Sequence, residues 1–186
     1  MFFDVGYGAT SIEAVAKLAG VSKRTFYARF DDKPALFAAV VHRTIERMRP
    51  PAGVPLIDGP DLPGMLRYIA ALVLRAALSP PGLALHRLII AESARFPELG
   101  AAVDAQGGAQ EAVRLIAGVL DAEARAGRLA LDNATFAAQQ FLHMVAAAPR
   151  RHALVGGKPM TADEQAAWVG DVVNLFVNGC RGWEKS

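Results

Sequence analysis

Between positions 23 and 27 the chain carries Lys23, Arg24, Thr25 and Tyr27, with Ser22 just ahead and Phe26 set among them. Two cations, two hydroxyls and a phenol make a donor-rich set with no nucleophile beside a base and no metal ligand. Such a set can hydrogen-bond to an anionic surface rich in acceptors. On a helix Phe26 and Phe30 fall four apart and share a face, so they can turn inward while Lys23, Arg24, Thr25 and Tyr27 reach outward. A short helix of this kind suits the major groove of duplex DNA, which admits one helix and presents acceptors at guanine N7 and O6.

Other chemistry finds no carriers. His42, His86, His143 and His152 are scattered, form neither HxxxH nor HExxH, and join a single distant cysteine, Cys180, so no metal site is expected. There is no GxGxxG, no GxxxxGK and no GxSxG. The chain is therefore read as no enzyme, with no cofactor. The histidines are read as structural or surface residues, with His86 and His143 able to line a pocket should their helices face each other.

The elements that must position residues 22–27 are legible on either side. Thr10 with Glu13 three residues on reads as a capping box, and Ile12, Val15, Ala16 and Ala19 follow at helical spacing. Gly20 stops that helix, because glycine takes the left-handed conformation at little cost. Only Val21 then precedes the next cap, Ser22, so the second helix, over 22–29, leaves at a steep angle with helix-turn-helix spacing. Asp32 caps a third helix whose first turn holds Lys33 and Pro34, where proline loses no hydrogen bond. Leu36, Phe37, Val40 and Val41 form its apolar stripe, packed on the Phe26 and Ile12 faces, and Lys33 is left free for a phosphate.

Charge agrees with this reading. The whole chain carries 20 Lys and Arg against 18 Asp and Glu. Residues 1–50 hold 8 basic against 5 acidic and the remaining 136 hold 12 against 13, so the basic surplus lies with the helix-turn-helix spacing. No run of apolar residues is long enough to span a bilayer, and Asp4 interrupts the N-terminus where a signal peptide would need an apolar stretch. The lone Cys180 excludes an internal disulfide framework, fits a reducing cytoplasm, and is read as a small buried side chain.

The run Gly6-Tyr7, Thr10-Ser11, Ile12, Val15-Ala16, Ala19-Gly20-Val21-Ser22, Thr25-Phe26-Tyr27, Phe30, Lys33, Leu36-Phe37 resembles the DNA-binding domain of the tetracycline-repressor-like family of bacterial transcription regulators. The likeness is tight over residues 2–41. It implies a cytoplasmic bacterial homodimer on double-stranded DNA, its two recognition helices in successive major grooves of a palindromic operator, released by a small-molecule effector. Thr10, Tyr27 and Lys33 match phosphate-contacting places of the family, and Ser22, Lys23, Arg24 and Thr25 match places at or near base edges. Phosphate contacts position a protein whereas base contacts specify its site, which singles out Arg24 for reading sequence. Members usually begin with a longer helix than residues 1–5 allow, so truncation is expected, with part of the Ile12, Phe26 and Phe37 core exposed. The competing reading is a helical ligand-binding or scaffolding dimer that has lost DNA binding with that helix.

The rest of the chain reads as helices throughout, giving an all-α fold: a helix-turn-helix head over 1–49 and a helical ligand-binding and dimerisation body over 50–186. Prolines and glycines from Pro50 to Gly64 mark the junction. Helices are expected over 62–78, with Leu66, Ile69 and Val73 on one side, and over 83–96 after Ser79-Pro80-Pro81-Gly82, with Leu85, Leu88 and Ile89 inward and Arg87, Glu92 and Arg95 on the polar side. Residues 95–99, Arg-Phe-Pro-Glu-Leu, resemble a turn between two body helices in many members of the same family. A further helix over 98–126, breakable at Gly107-Gly108, is closed by Gly127-Arg128-Leu129. Next come a helix over 132–148, a loop holding Pro149 and the solvated pair Arg150-Arg151, and a last helix opened by Thr161 and Glu164. The family places its cavity between body helices, which points to Met65, Tyr68, Leu72, His86, Leu115 and Phe141 as lining for an apolar or aromatic effector. The last two helices carry more apolar surface than one core needs. They are the expected dimer interface, through Phe136, Met144, Trp168, Val172, Val173 and Phe176.

Overall fold

A computed structural model describes residues 1–50, 55, 58–59, 61–105 and 108–180, and of Cys180 the backbone alone. Most of the junction between 50 and 61, the break at Gly107 and the burial of Cys180 lie outside the described residues. Those residues form ten helices and no strand: α1 (Phe2–Val5), α2 (Ile12–Leu18), α3 (Lys23–Tyr27), α4 (Lys33–Met48), α5 (Leu62–Leu78), α6 (Pro80–Glu92), α7 (Glu98–Asp104), α8 (Gly108–Arg125), α9 (Ala134–Leu154) and α10 (Ala162–Cys180). They assemble as two compact units, Met1–Arg49 with Pro80–Gly108 and Pro50–Ser79 with Ala109–Ser186. Segment 80–108, which follows the head–body junction in sequence, thus packs with the head.

In the first unit the helix boundaries have local causes. The cap of α2 is Ser11, whose Oγ accepts the Ala14 amide at 3.1 Å, and not Thr10, whose hydroxyl donates to the Gly6 carbonyl at 2.7 Å. A serine at that position competes on equal terms, and the preceding turn claims the threonine. At the other end Gly20 takes φ 69°. Its amide reaches the Lys17 carbonyl at 3.2 Å and the Val21 amide reaches the Ala16 carbonyl at 3.0 Å, a Schellman stop that lets α3 begin at once. Ser22 caps α3 and Asp32 caps α4, each accepting the amide three residues on.

The core under these helices is closed, contrary to the exposure expected from the short α1. Phe37 is fully buried and Phe26 is 5% exposed. Phe2 stacks on Tyr7 at 5.6 Å and meets Phe37 edge-on at 5.4 Å, and Leu85, Leu88 and Leu99 of α6 and α7 complete the cluster. Ile12 is partly buried against it. Helix α6 begins at Pro80 rather than 83 and stops at Glu92 rather than 96. Its two prolines stand in the first turn, where no amide partner is required.

In the second unit α5 buries Leu62, Leu66, Ile69, Ala70 and Leu74, a stripe at three- and four-residue steps. Ile116 and Leu120 of α8, Ala138, Phe141 and Val145 of α9, and Val169, Val173 and Val177 of α10 pack against it. Burying each large aliphatic side chain contributes about 1.5–3 kcal/mol, and losing Phe141, ringed to Phe176 at 4.9 Å, would cost about 3–5 kcal/mol. The body helix expected over 98–126 is two, α7 and α8. Gly127, at φ 73°, ends α8 as Gly20 ends α2.

Two expectations for α9 and α10 are corrected. Pro149 with Arg150 and Arg151 is not a loop, because α9 continues through them to Leu154. Proline removes the amide that would bond the Val145 carbonyl, but the Trp168 indole of α10 donates to that oxygen at 2.9 Å. The helix therefore survives its proline. Desolvation lowers the pKa of the half-buried Arg150 guanidinium. The surplus apolar surface of α10 is also less than it looked: Val172, Val173 and Phe176 lie in the unit's own core.

Candidate nucleic-acid interface

Helix α3 is five residues long, too short to hold itself up by hydrogen bonding, so its pose comes from what it rests on. Phe26 is the anchor. Buried beneath the helix, it lies 5.5 Å from Phe30 and 5.5 Å from the edge-on ring of Tyr27. Above it the face is open, with Ser22, Lys23, Arg24 and Thr25 exposed and Tyr27 50% exposed. The Ser22 hydroxyl accepts the Thr25 amide at 3.1 Å and shares a hydrogen bond with the Thr25 hydroxyl at 2.9 Å. Arg24 forms no ion pair among the described residues, which leaves its planar donor fork unspent.

Lys23 is engaged, holding Glu13 of α2 at 2.5 Å. That hydrogen bond is the main cause lowering the Glu13 pKa and raising that of Lys23. Both groups face solvent, so the pair fixes geometry between α2 and α3 more than it stabilises the fold. Lys33 is not free. Its ammonium donates to the Gly8 carbonyl at 3.2 Å and stands 4.5 Å above the Tyr7 ring. Thr10, 3% exposed, is spent on Gly6 and presents no hydroxyl to a partner. Helix α3 and its cap thus present Ser22, Lys23, Arg24, Thr25 and Tyr27 to solvent, while the Lys33 ammonium and the Thr10 hydroxyl are held by carbonyls of the turn that precedes α2.

That turn, Gly6-Tyr7-Gly8, is held by residues that sequence reasoning placed elsewhere. Glu92, assigned to an outward polar side, accepts the Tyr7 amide and the Gly8 amide at 2.7 Å each. Gly6 takes φ 88° with the Glu92 carboxylate where a Cβ would be, and a Cβ on Gly8 would stand 3.4 Å from the Phe96 ring. Tyr7 packs on Phe96 at 4.9 Å and donates its phenol to Glu98 at 3.2 Å. Burial first, and then the Glu98 carboxylate, push the Tyr7 phenol up to about 12. The signal that could have found this was a tyrosine beside a glycine turn, whose phenol needs an acceptor when buried.

The six residues expected to line a ligand cavity fall on four helices. Met65, Tyr68 and Leu72 lie partly buried along α5 and Leu115 is partly buried on α8. Phe141 is fully buried against Phe176, and His86 lies on α6 in the other unit. His143 is exposed, its Nδ1 2.9 Å from the Gln139 carbonyl on the same helix. Of the residues expected at a subunit interface, Phe136 is 58% exposed, while Met144 and Trp168 are partly buried. Leu175, part of the same apolar surface of the last helix, is 67% exposed. No group of His, Cys, Asp and Glu that could hold a metal ion occurs among the described residues, and no single helix among them is long and apolar enough to cross a membrane.

Comparison with known proteins gives two family matches. Residues 1–40 match the model of bacterial regulatory proteins of the tetR family, and residues 64–179 match that of the C-terminal domain of AefR-like transcriptional repressors. Among solved structures, the flavonoid-responsive regulator FrrA is 30% identical over 100% of this chain and 92% of its own, with a TM-score of 0.79. A TetR transcriptional regulator from Agrobacterium tumefaciens is 26% identical over 99% and 90%, with a TM-score of 0.72. The fatty acid degradation regulator FadR from Bacillus halodurans, 16% identical over 97% and 94% with a TM-score of 0.68, shares the fold.

Proposed function

Given that this chain belongs to the tetR family of bacterial regulatory proteins, ligand-responsive transcription regulators that generally act as homodimers, we propose that it is a repressor of a palindromic operator, released by an apolar or aromatic small molecule. The observation that carries this reading is α3 itself, a capped helix whose Phe26 is buried while Arg24 and its neighbours stand exposed. Arg24 reads a guanine through its O6 and N7, contributing about 1–3 kcal/mol of discrimination. Ser22 and Thr25 work at neighbouring base edges. Lys23 joins them by exchanging Glu13 for an acceptor on DNA, and Tyr27 meets a phosphate. Lys33 keeps two of its three ammonium donors for another phosphate while the third holds Gly8. Thr10 takes no direct part, and its place passes to the exposed Ser11.

Repression and an aromatic effector both find support among the relatives, the first in the AefR-like repressor match and the second in the flavonoid response of FrrA. Met65, Tyr68 and Leu72, three and four residues apart on α5, offer a flat apolar strip to such a ligand. For release, the ligand must bind the DNA-incompetent pose more tightly than the competent one. The homodimer forms on the outer faces of α9 and α10, with Phe136 and Leu175 as its apolar contacts, since Val172, Val173 and Phe176 are already committed to the subunit core.

Selection from a random-sequence duplex library tests the reading. The wild-type chain should converge on a two-fold symmetric site, and Arg24→Ala with Tyr27→Ala should lose that site by about tenfold to hundredfold while nonspecific binding persists. A library that never converges would leave the ligand-binding or scaffolding dimer as the better account.

A further inference from the structure

The Gly6-Tyr7-Gly8 turn joins α1 to α2. It enters α2 through Ser11, and each of its polar groups named so far has a partner. The Gly6 carbonyl accepts from Thr10, and the Gly8 carbonyl accepts from Lys33. Tyr7 gives its phenol to Glu98. The two amides of Tyr7 and Gly8 both go to one carboxylate, that of Glu92, at the last position of α6. Charge-assisted bonds of this kind are about twice as strong as neutral ones, and the absent Cβ atoms at Gly6 and Gly8 are what let the carboxylate and the Phe96 ring approach. Within the unit this ties the end of α6 directly to the backbone ahead of α2. A carboxylate moving with α6 carries both amides with it. In the chain α6 follows α5 after Ser79 alone.

Resting on the regulator reading above, we infer that Glu92 is a positioning residue for DNA recognition, a latch through which segment 80–108 sets the pose of α2 and of Lys33. It touches no DNA. Its two hydrogen bonds decide where Gly8 lies, and Gly8 in turn holds the Lys33 ammonium. Displacement of α6 that opens the latch would let the turn and Lys33 leave their DNA-competent places together, with the α3 core undisturbed.

The test compares the wild-type chain, Glu92→Gln and Leu88→Ala. A carboxamide in place of the Glu92 carboxylate would offer one acceptor oxygen where two amides need one each, whereas Leu88→Ala removes buried packing in the same unit and leaves the Glu92 carboxylate itself in place. Affinity is measured by fluorescence anisotropy on the duplex that the wild-type chain selects from a random library, and amide hydrogen exchange is followed without DNA. Glu92→Gln should lose about tenfold or more in affinity, and its Tyr7 and Gly8 amides should exchange about tenfold faster while those of α4 keep their protection. Leu88→Ala should show the opposite split, a lower melting temperature with wild-type affinity below it. Unchanged affinity and exchange in Glu92→Gln would overturn the latch. Loss of α4 protection along with the turn would overturn it too, making Glu92 a plain structural residue. A wild-type chain that selects no duplex would remove the regulator reading and the latch's purpose with it, a failure told apart because the exchange measurement needs no DNA.

Discussion

Tyr7 shows how much one residue can carry that a motif does not reveal. Its ring is part of the aromatic core with Phe2, Phe37 and Phe96, its amide belongs to Glu92, and its phenol faces Glu98. The phenol is neutral below the unfolded value of 10.0 in both states, and burial beside a carboxylate holds it neutral to about 12 in the fold. A folded pKa above the unfolded one means stability that is fully present below pH 10 and drains away as pH rises toward 12. Absorbance titration should therefore show one phenol ionising late, with loss of head structure accompanying it. That late step should vanish in Tyr7→Phe, and phenols that all ionise by about pH 10 would contradict the burial described. The outward role of Arg24 and the inward role of Phe26 were legible because both follow from helical spacing within a single element. The Glu92 bond was not legible, because it joins residues 85 apart in sequence and a lone glutamate near a helix end looks solvated.

At the scale of elements, capping residues and glycines set the helix limits, and these were read well wherever the signal was local. Ser22, Asp32, Gly20 and the Thr161–Glu164 box all stand where the pattern puts them, the last with bonds of 2.7 and 3.2 Å. The one-residue shift from Thr10 to Ser11 arose where two good caps adjoin and the turn before them decided. Pro149 misled for a different reason. A proline ends a helix when its freed carbonyl has no partner, and here the partner comes from another helix 23 residues away in sequence. Trp168→Phe should leave the Val145 carbonyl unpaired and cost about 1–3 kcal/mol in chemical denaturation. In a Pro149→Ala background, where an amide is restored at position 149, the same change should cost less. Equal costs in both backgrounds would mean that the indole bond compensates nothing.

For the whole molecule, the all-α class and the helix-turn-helix head were open to sequence reasoning, since periodicity and turn chemistry are properties of short segments. The packing of residues 80–108 was not. Residues 80–108 follow the junction in the chain and yet pack with residues 1–49, through Leu85, Leu88 and Leu99 against the Phe37 cluster, and no local pattern announces a long-range core. That packing gives a ligand-responsive regulator its economy, because the segment that packs with the head is also continuous in sequence with α5 and α8. All of it matters only if α3 reads sequence, and methylation interference tests this most directly. Duplex selected by the wild-type chain is methylated at guanine N7, in the major groove, and the bound and free fractions are compared. The account expects interference at one guanine in each half-site, the two separated by about one helical turn of 34–36 Å, and expects it to disappear in Arg24→Ala. Interference that is absent, scattered along the duplex or unchanged in Arg24→Ala would contradict it.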